Sequence, residues 1–355
     1  MSATLPRSTG RPDLPPLPLL PTSVMGSHGY PSWFVTAKER IDAGAYGTTE
    51  VQEALDDGVR MAIWDQERAG VDVVTDGEMR RWHFVQGLYG RIEGLEPVPP
   101  LRTVGVFGYD SPGRFRAVDR LSIPRGLGIV EDFRFLRENA THRTKVTCPG
   151  PLTMGIHIQI REGGPYRDRL ELAEWFADAI NQELRAAVAA GADFVQVDEP
   201  SFAIIPGAVE DWVRLFNRAV EGVTAKVALH VCFGNLASRP RGKRRYAWMF
   251  PTLLGAKADQ FLFEFANREM AESSLWRDFE VPQELGAGVV DAKSFYLETA
   301  EDVAERIREL LRYCPADRLW INPDCGFSDL PRWLAAAKLR RMVEGTAIVR
   351  RELGG

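Results

Sequence analysis

A histidine and a cysteine stand two residues apart in His230-Val231-Cys232, inside the apolar, β-branched run AKVALHVC. In a strand, residues i and i+2 face the same side, so imidazole and thiol can hold one ion. A second cysteine, Cys325, ends the run LWINPDCG, and Glu264 sits in DQFLFEFA between them. His, Cys, Cys and Glu make a tetrahedral N, S and O donor set that suits zinc. The plain alternative for a buried cysteine is a small core residue, and Cys148 and Cys314 are read that way. Two thiolates and a carboxylate overcompensate a dication, leaving a charge of about −1. Zinc in such a site acts weakly on water but lowers the pKa of an incoming thiol. The chemistry indicated is alkyl transfer to sulfur. Glu264, the hardest donor, is the one expected to yield when a substrate sulfur arrives.

More polar residues fall where apolar runs end. Ser27 and His28 follow residues 22–27, Asp76 and Glu78 close VDVVTDGE, and Asp198 and Glu199 close ADFVQVDEP. Asp291 and Lys293 end LGAGVVDAKS, and Asp324 precedes Cys325. With RTKVTCPG, AKVALHVC, DQFLFEFA and LWINPDCG, the chain holds eight strand candidates. Helical patterns lie between most of them. In TTEVQEALDDGVRMAIWDQERAG, Val51, Leu55, Val59 and Ile63 share one face, Thr48 or Thr49 can cap the start, and Gly70 the end. Strands alternating with helices imply a parallel sheet. Eight such units predict a single (β/α)8 barrel, whose site lies at the C-terminal strand ends. Residues 82 to about 140 lack a clear helical period, and GVFGYDSPGRFRAV reads as a hairpin or lobe inserted after the second strand. Residues 1–21, with Pro15, Pro16, Pro18 and Pro21, read as an extended arm before a barrel of residues 22–355. Such an arm can hang loose or pack on a partner subunit, which permits a homo-oligomer.

Composition excludes several classes. In 355 residues, 44 basic and 49 acidic side chains give a net charge of −5, which argues against a general nucleic-acid binder. No stretch approaches the roughly 20 apolar residues of a membrane span. Four cysteines do not make a disulfide framework and fit a reducing, cytoplasmic setting. No GxGxxG follows the first strand, against a dinucleotide fold.

The ordered motifs MGSHGYP, DGE at 76–78, CPGPLTM, FVQVDEPSF, HVC, LFEFANRE, GVVD and NPDCG together carry a family likeness. From about residue 20 onward the chain resembles the catalytic C-terminal half of cobalamin-independent methionine synthase. The resemblance implies zinc held by His230, Cys232, Glu264 and Cys325, and methyl transfer to homocysteine. It implies that Glu78, Asp198 and Ser27 hold the homocysteine backbone. Carboxylates suit the ammonium, and a hydroxyl suits the carboxylate. Glu199 is either a further substrate contact or a strand-end cap.

The chain also departs from that pattern. It has no room for a second barrel, so the donor can be a folate or a methylated corrinoid protein. Short relatives include epoxyalkane:coenzyme M transferase, which makes an anionic thiol and an epoxide the alternative substrates. Lys293 stands where the family has a histidine, to donate a proton, bind an anionic donor or pair with Asp291. His28 stands where an aromatic is usual and can serve as a proton donor or a hydrogen-bonded loop residue. Arg239, Arg241, Lys243, Arg244 and Arg245 make a basic loop suited to an anionic partner or simply to water. Trp64, Trp82, Trp175, Trp212 and Trp276 are expected to pack in the core or between helices. A lyase on a related barrel would not need this ligand set, and a purely structural zinc would not use a glutamate at the open end.

Overall fold

The structure is a computed structural model and describes residues 14–81, 84–99, 114–235 and 244–354. Its strands are β1 (Val73–Val74), β2 (Glu93–Val98), β3 (Arg114–Ser122), β4 (Arg143–Thr144), β5 (Val146–Pro149), β6 (Ile158–Gln159), β7 (Phe194–Asp198), β8 (Lys226–Val231), β9 (Gln260–Glu264), β10 (Glu284–Val290) and β11 (Leu319–Pro323). Its helices are α1 (Ser32–Asp42), α2 (Thr48–Ala69), α3 (Gln86–Tyr89), α4 (Ile129–Asn139), α5 (Pro151–Met154), α6 (Arg169–Ala189), α7 (Ser201–Ile204), α8 (Val209–Ala219), α9 (Leu275–Asp278), α10 (Ala300–Leu310) and α11 (Arg332–Glu352). No described helix is long and apolar enough to cross a membrane.

Six strands form one parallel sheet in the order β11-β10-β9-β8-β7-β5. β1 and β4 form a second parallel pair, and only Lys145 separates β4 from β5. Thr22 bridges Ile321 of β11, and Ser23 bridges Val73 of β1, both in parallel. Each of the eight runs read as strands therefore contains paired residues, in the expected order. The strands are almost wholly buried, as befits a parallel sheet covered by helices.

The helices form for ordinary reasons. α8 buries Val209, Trp212, Val213 and Phe216 along one face. The Asp168 side chain accepts from Glu171 N to cap α6, and Thr299 and Asp302 make a capping box on α10. α2 ends at Gly70 in the left-handed conformation, as expected, but Gly47, not a threonine, occupies its N-cap.

Other expectations need correction. Residues 129–139 are helical despite their weak period, because Ile129, Phe133 and Leu136 suffice to make a buried stripe. The stretch YAWMFPTLLGAK is two 3-10 turns, Ala247–Met249 and Thr252–Gly255, rather than one helix. Pro251 between them has no N–H to continue a ladder. Trp64 is half exposed, with the Arg68 and Arg332 guanidinium groups over its ring. Trp82, residues 239–243 of the basic loop and residues 100–113 of the predicted lobe lie outside the described residues. β2 and β3 flank that last gap as an antiparallel pair.

The described part of the arm packs on its own chain. Arg143 donates to the Leu14 and Pro15 carbonyls, and Arg350 to those of Leu19 and Leu20. Leu17 packs against a cluster of Met25, Val73, Phe194, Ala228, Leu262 and Trp320. Phe194 meets Trp320 edge-on at 5.7 Å between centroids. Lys226 lies 3.8 Å above the Trp320 ring and pairs with Glu284. Truncating Phe194 would leave a cavity here. Phe194→Ala is expected to lower unfolding free energy by about 3–5 kcal/mol, read from urea denaturation.

Candidate active site

β7, β8, β9 and the segment after β11 deliver the site. Sheet register sets Asp198 beside His230, and His230 beside Leu262. Asp198 Oδ1 accepts the His230 Nδ1–H at 2.7 Å, which fixes Nε2 as the nitrogen left for a ligand. Burial opposes charge on His230, but the Asp198 hydrogen bond outweighs it and raises the ring's pKa. Nε2 is buried and has no partner. Donor atoms of His230, Cys232 and Cys325 all lie within 4.8 Å of one another, with the two sulfurs 4.0 Å apart. The Sγ–Sγ hydrogen bond holds the Cys325 thiol down to about 7. The same bond, with burial, pushes Cys232 up.

Glu264 is not one of that set of three, and it is fully buried. Its Oε2 pairs with Lys293 Nζ, and its Oε1 is buried without a partner. Burial opposes the charge on Lys293, yet Glu264 and then the two site cysteines raise its pKa. The Lys293 N–H donates to Asp291 Oδ1 at 2.7 Å, and the Asp291 N–H to Glu298 Oε1 at 2.8 Å. Glu298 is held by buried Lys338 at 2.7 Å. Asp291 thus shapes the loop, while Lys293 reaches inward.

Glu78 follows β1 with a left-handed φ of 55°. Its Oε1 accepts from Arg81 and from Thr147 Oγ1, each at 2.9 Å. Burial raises its pKa to about 7, against the pull of Arg81. Gly26 has to be glycine: its φ is +139°, and a Cβ would stand 2.2 Å from Glu78 Oε1. Ser27 touches the other side of the site, since a Cβ on Gly326 would stand 2.0 Å from Ser27 Oγ. Asp198 Oδ2 is buried without a partner.

Two expected site residues face elsewhere. His28 Nε2 meets Asp65 Oδ2 at 3.0 Å, and Asp65 also takes Arg332 at 2.7 and 2.9 Å. Although burial works against it, the His28 and Arg332 contacts hold the Asp65 carboxyl down to about 2. Glu199 accepts from Leu152 N at 2.9 Å, Thr153 N at 3.1 Å and Thr153 Oγ1 at 2.6 Å. Burial still raises it to about 8.

Several participants escaped sequence reasoning. Arg81, Thr147, Gln196 and Lys145 all serve the acidic groups. Gln196 donates to Asp198 Oδ1 and to the Met25 carbonyl, both at 2.6 Å. Two signals were present: Arg81 lies three residues after Glu78, and Gln196 two before Asp198.

These parallel strands define an α/β fold with a parallel sheet, and near their carboxyl ends one histidine and two cysteines lie close enough together to hold a metal ion. The family profile "Cobalamin-independent synthase, Catalytic domain" matches residues 20–347. A methionine synthase of Saccharolobus solfataricus is 37% identical over 338 residues, covering 95% of this chain and 97% of that protein. A B12-independent methionine synthase from Shewanella sp. W3-18-1, solved with selenomethionine, superposes with a TM-score of 0.80 at 28% identity, covering 94% of this chain and 99% of that one. A Listeria monocytogenes structure described as a vitamin-B12-independent methionine synthase shares the fold, with TM-score 0.67 and 22% identity over 94% of this chain and 99% of its own. The chain belongs to the cobalamin-independent methionine synthase family, and membership makes it a cobalamin-independent methyltransferase.

Glu199 yields a stability test. Glu199→Ala leaves the Leu152 and Thr153 N–H groups without their acceptor, while the Thr153 hydroxyl keeps Ser201 Oγ at 2.9 Å. Each such loss costs about 1–3 kcal/mol, so a large fall in melting temperature is expected in calorimetry.

Proposed function

We propose that this chain is a zinc-dependent transferase that moves a methyl group onto the thiol of homocysteine to give methionine. The observation that carries the reading is that His230, whose buried Nε2 is unpartnered, offers a ring nitrogen within 4.8 Å of two thiols. His230, Cys232 and Cys325 would hold the zinc, with Glu264 Oε1 as the fourth donor. Zinc, when bound, supplies a template that keeps a thiol deprotonated at neutral pH. Asp198 orients and enriches the His230 ring. The open side of Asp198 and the Glu78 carboxylate receive the substrate ammonium, and Ser27 its carboxylate. Glu199, with both oxygens engaged, is assigned to holding the 151–154 turn, and His28 to fixing the first loop through Asp65. Asp291 presents Lys293 on the donor side.

The family and its curated relatives support homocysteine as acceptor. The donor is a methyl group carried by a folate or a corrinoid protein. The bridges at Thr22 and Ser23 support a (β/α)8 barrel closed into a ring, with the 82–140 region inserted in it. Free thiols at all four cysteines fit a reducing cytoplasm.

Zinc-edge X-ray absorption tests the core of this reading. Purified protein is expected to bind zinc and to gain one sulfur neighbour when homocysteine is added. Absence of zinc, or a shell indifferent to homocysteine, would refute it.

Proton and ammonium compete for Glu78. A carboxyl at about 7 is neutral below that pH and cannot hold a cation. Methionine, which has no thiol to titrate, should therefore bind about tenfold tighter at pH 8 than at pH 6. Calorimetric titration measures this, and Glu78→Gln should flatten the dependence.

A further inference from the structure

Glu264 is 0% exposed, its Oε2 is committed to Lys293, and Lys293 is itself only 4% exposed. The other oxygen, Oε1, is buried without a partner. One carboxylate thus presents one oxygen to a cation of the chain and keeps the other unpartnered, and its charge acts on both Cys232 and Cys325. The loop that carries Lys293 is fixed from behind by Asp291, Glu298 and Lys338.

A carboxylate as buried as Glu264 cannot turn from a metal into bulk solvent without moving. Removing it from one cation without supplying another strands an uncompensated charge, which is strongly unfavourable. We propose that Lys293 is the exchange partner of Glu264: it shares the carboxylate with the metal and retains it when a substrate thiol takes the fourth position. Lys293 makes Glu264 a weaker donor while the site is substrate-free, since an ion-paired oxygen gives less charge to a second cation. It also holds the displaced carboxylate as an intact ion pair. Lys293 acts through Glu264, so it is a positioning residue in this role. The inference rests on the zinc–thiol reading above.

The test compares zinc-loaded wild type with Lys293→Met and Lys293→Arg. Zinc affinity is read by chelator competition without thiol, and the metal shell by zinc-edge absorption with and without homocysteine. Wild type should exchange one oxygen or nitrogen neighbour for one sulfur. Lys293→Met should bind zinc more tightly and need about tenfold or more homocysteine for the same exchange, or keep its oxygen neighbour when sulfur adds. Lys293→Arg preserves the cation and should behave like wild type, which keeps the test readable if the methionine variant folds poorly. In a Glu264→Gln background the effect of Lys293→Met should vanish. If Lys293→Met exchanges oxygen for sulfur at the wild-type homocysteine concentration, the inference is overturned while the zinc–thiol reading stands. If wild-type protein binds no zinc, or gains no sulfur, both fall.

Discussion

Carboxylates of Glu78, Asp198, Glu199, Glu264 and Asp324 are buried where parallel strands end, and much of the surrounding structure answers to their charge. Water cannot solvate them, so each needs a partner inside the protein. Asp324 takes the backbone N–H groups of Phe265, Ala266 and Asn267, at 2.8, 3.0 and 2.6 Å. Glu199 takes the start of α5. Glu78 has Arg81 and Thr147, Asp198 has His230 and Gln196, and Glu264 has Lys293. Partnering also separates roles. Asp324 and Glu199 are saturated and fix the backbone. Asp198 and Glu264 each keep one buried oxygen unpartnered.

Register makes the arrangement possible. Parallel pairing aligns Asp198 with His230, and Gly288 with both Glu264 and Asn322. Side chains two residues apart share a face, so Gln196 and Asp198 lie one above the other, as do His230 and Cys232. A shift of one residue in β8 would turn both of these last side chains out of the site.

This logic explains what was legible in the sequence. His230 and Cys232 declared themselves because period-two spacing is local. Cys325 and Glu264 could be joined to them because each ends an apolar run, and such ends meet in a parallel array. The strand order was legible for the same reason. His28 and Glu199 were less so, because their partners Asp65 and Thr153 lie 37 and 46 residues away. Only the fold decides whether a polar strand-end residue is saturated or open. Helix α4 was obscured because charged residues interrupt its apolar ones, of which only Ile129, Phe133 and Leu136 are buried, and its stability comes from that packing.

The cations beneath the acidic groups complete the electrostatic account. Lys145 is 1% exposed and donates to the Val24 carbonyl at 2.6 Å. Burial pushes its ammonium down to about 7, against the pull of Asp198. At the same level of the sheet, Lys226 is anchored by Glu284 and by the rings of Phe194 and Trp320. The interior is thus layered, with cations toward the arm, carboxylates above them, and thiols at the open end. A zinc site with a charge of about −1 would be costly in a neutral apolar cavity. Placed over Asp198 and flanked by Lys293 and Lys145, it gains compensation from both sides. Arg81 serves Glu78 in the same manner from the strand-end loop. The charge balance of the candidate site and the packing of the interior are therefore coupled, since the cations beside the acidic groups are also packed into its walls.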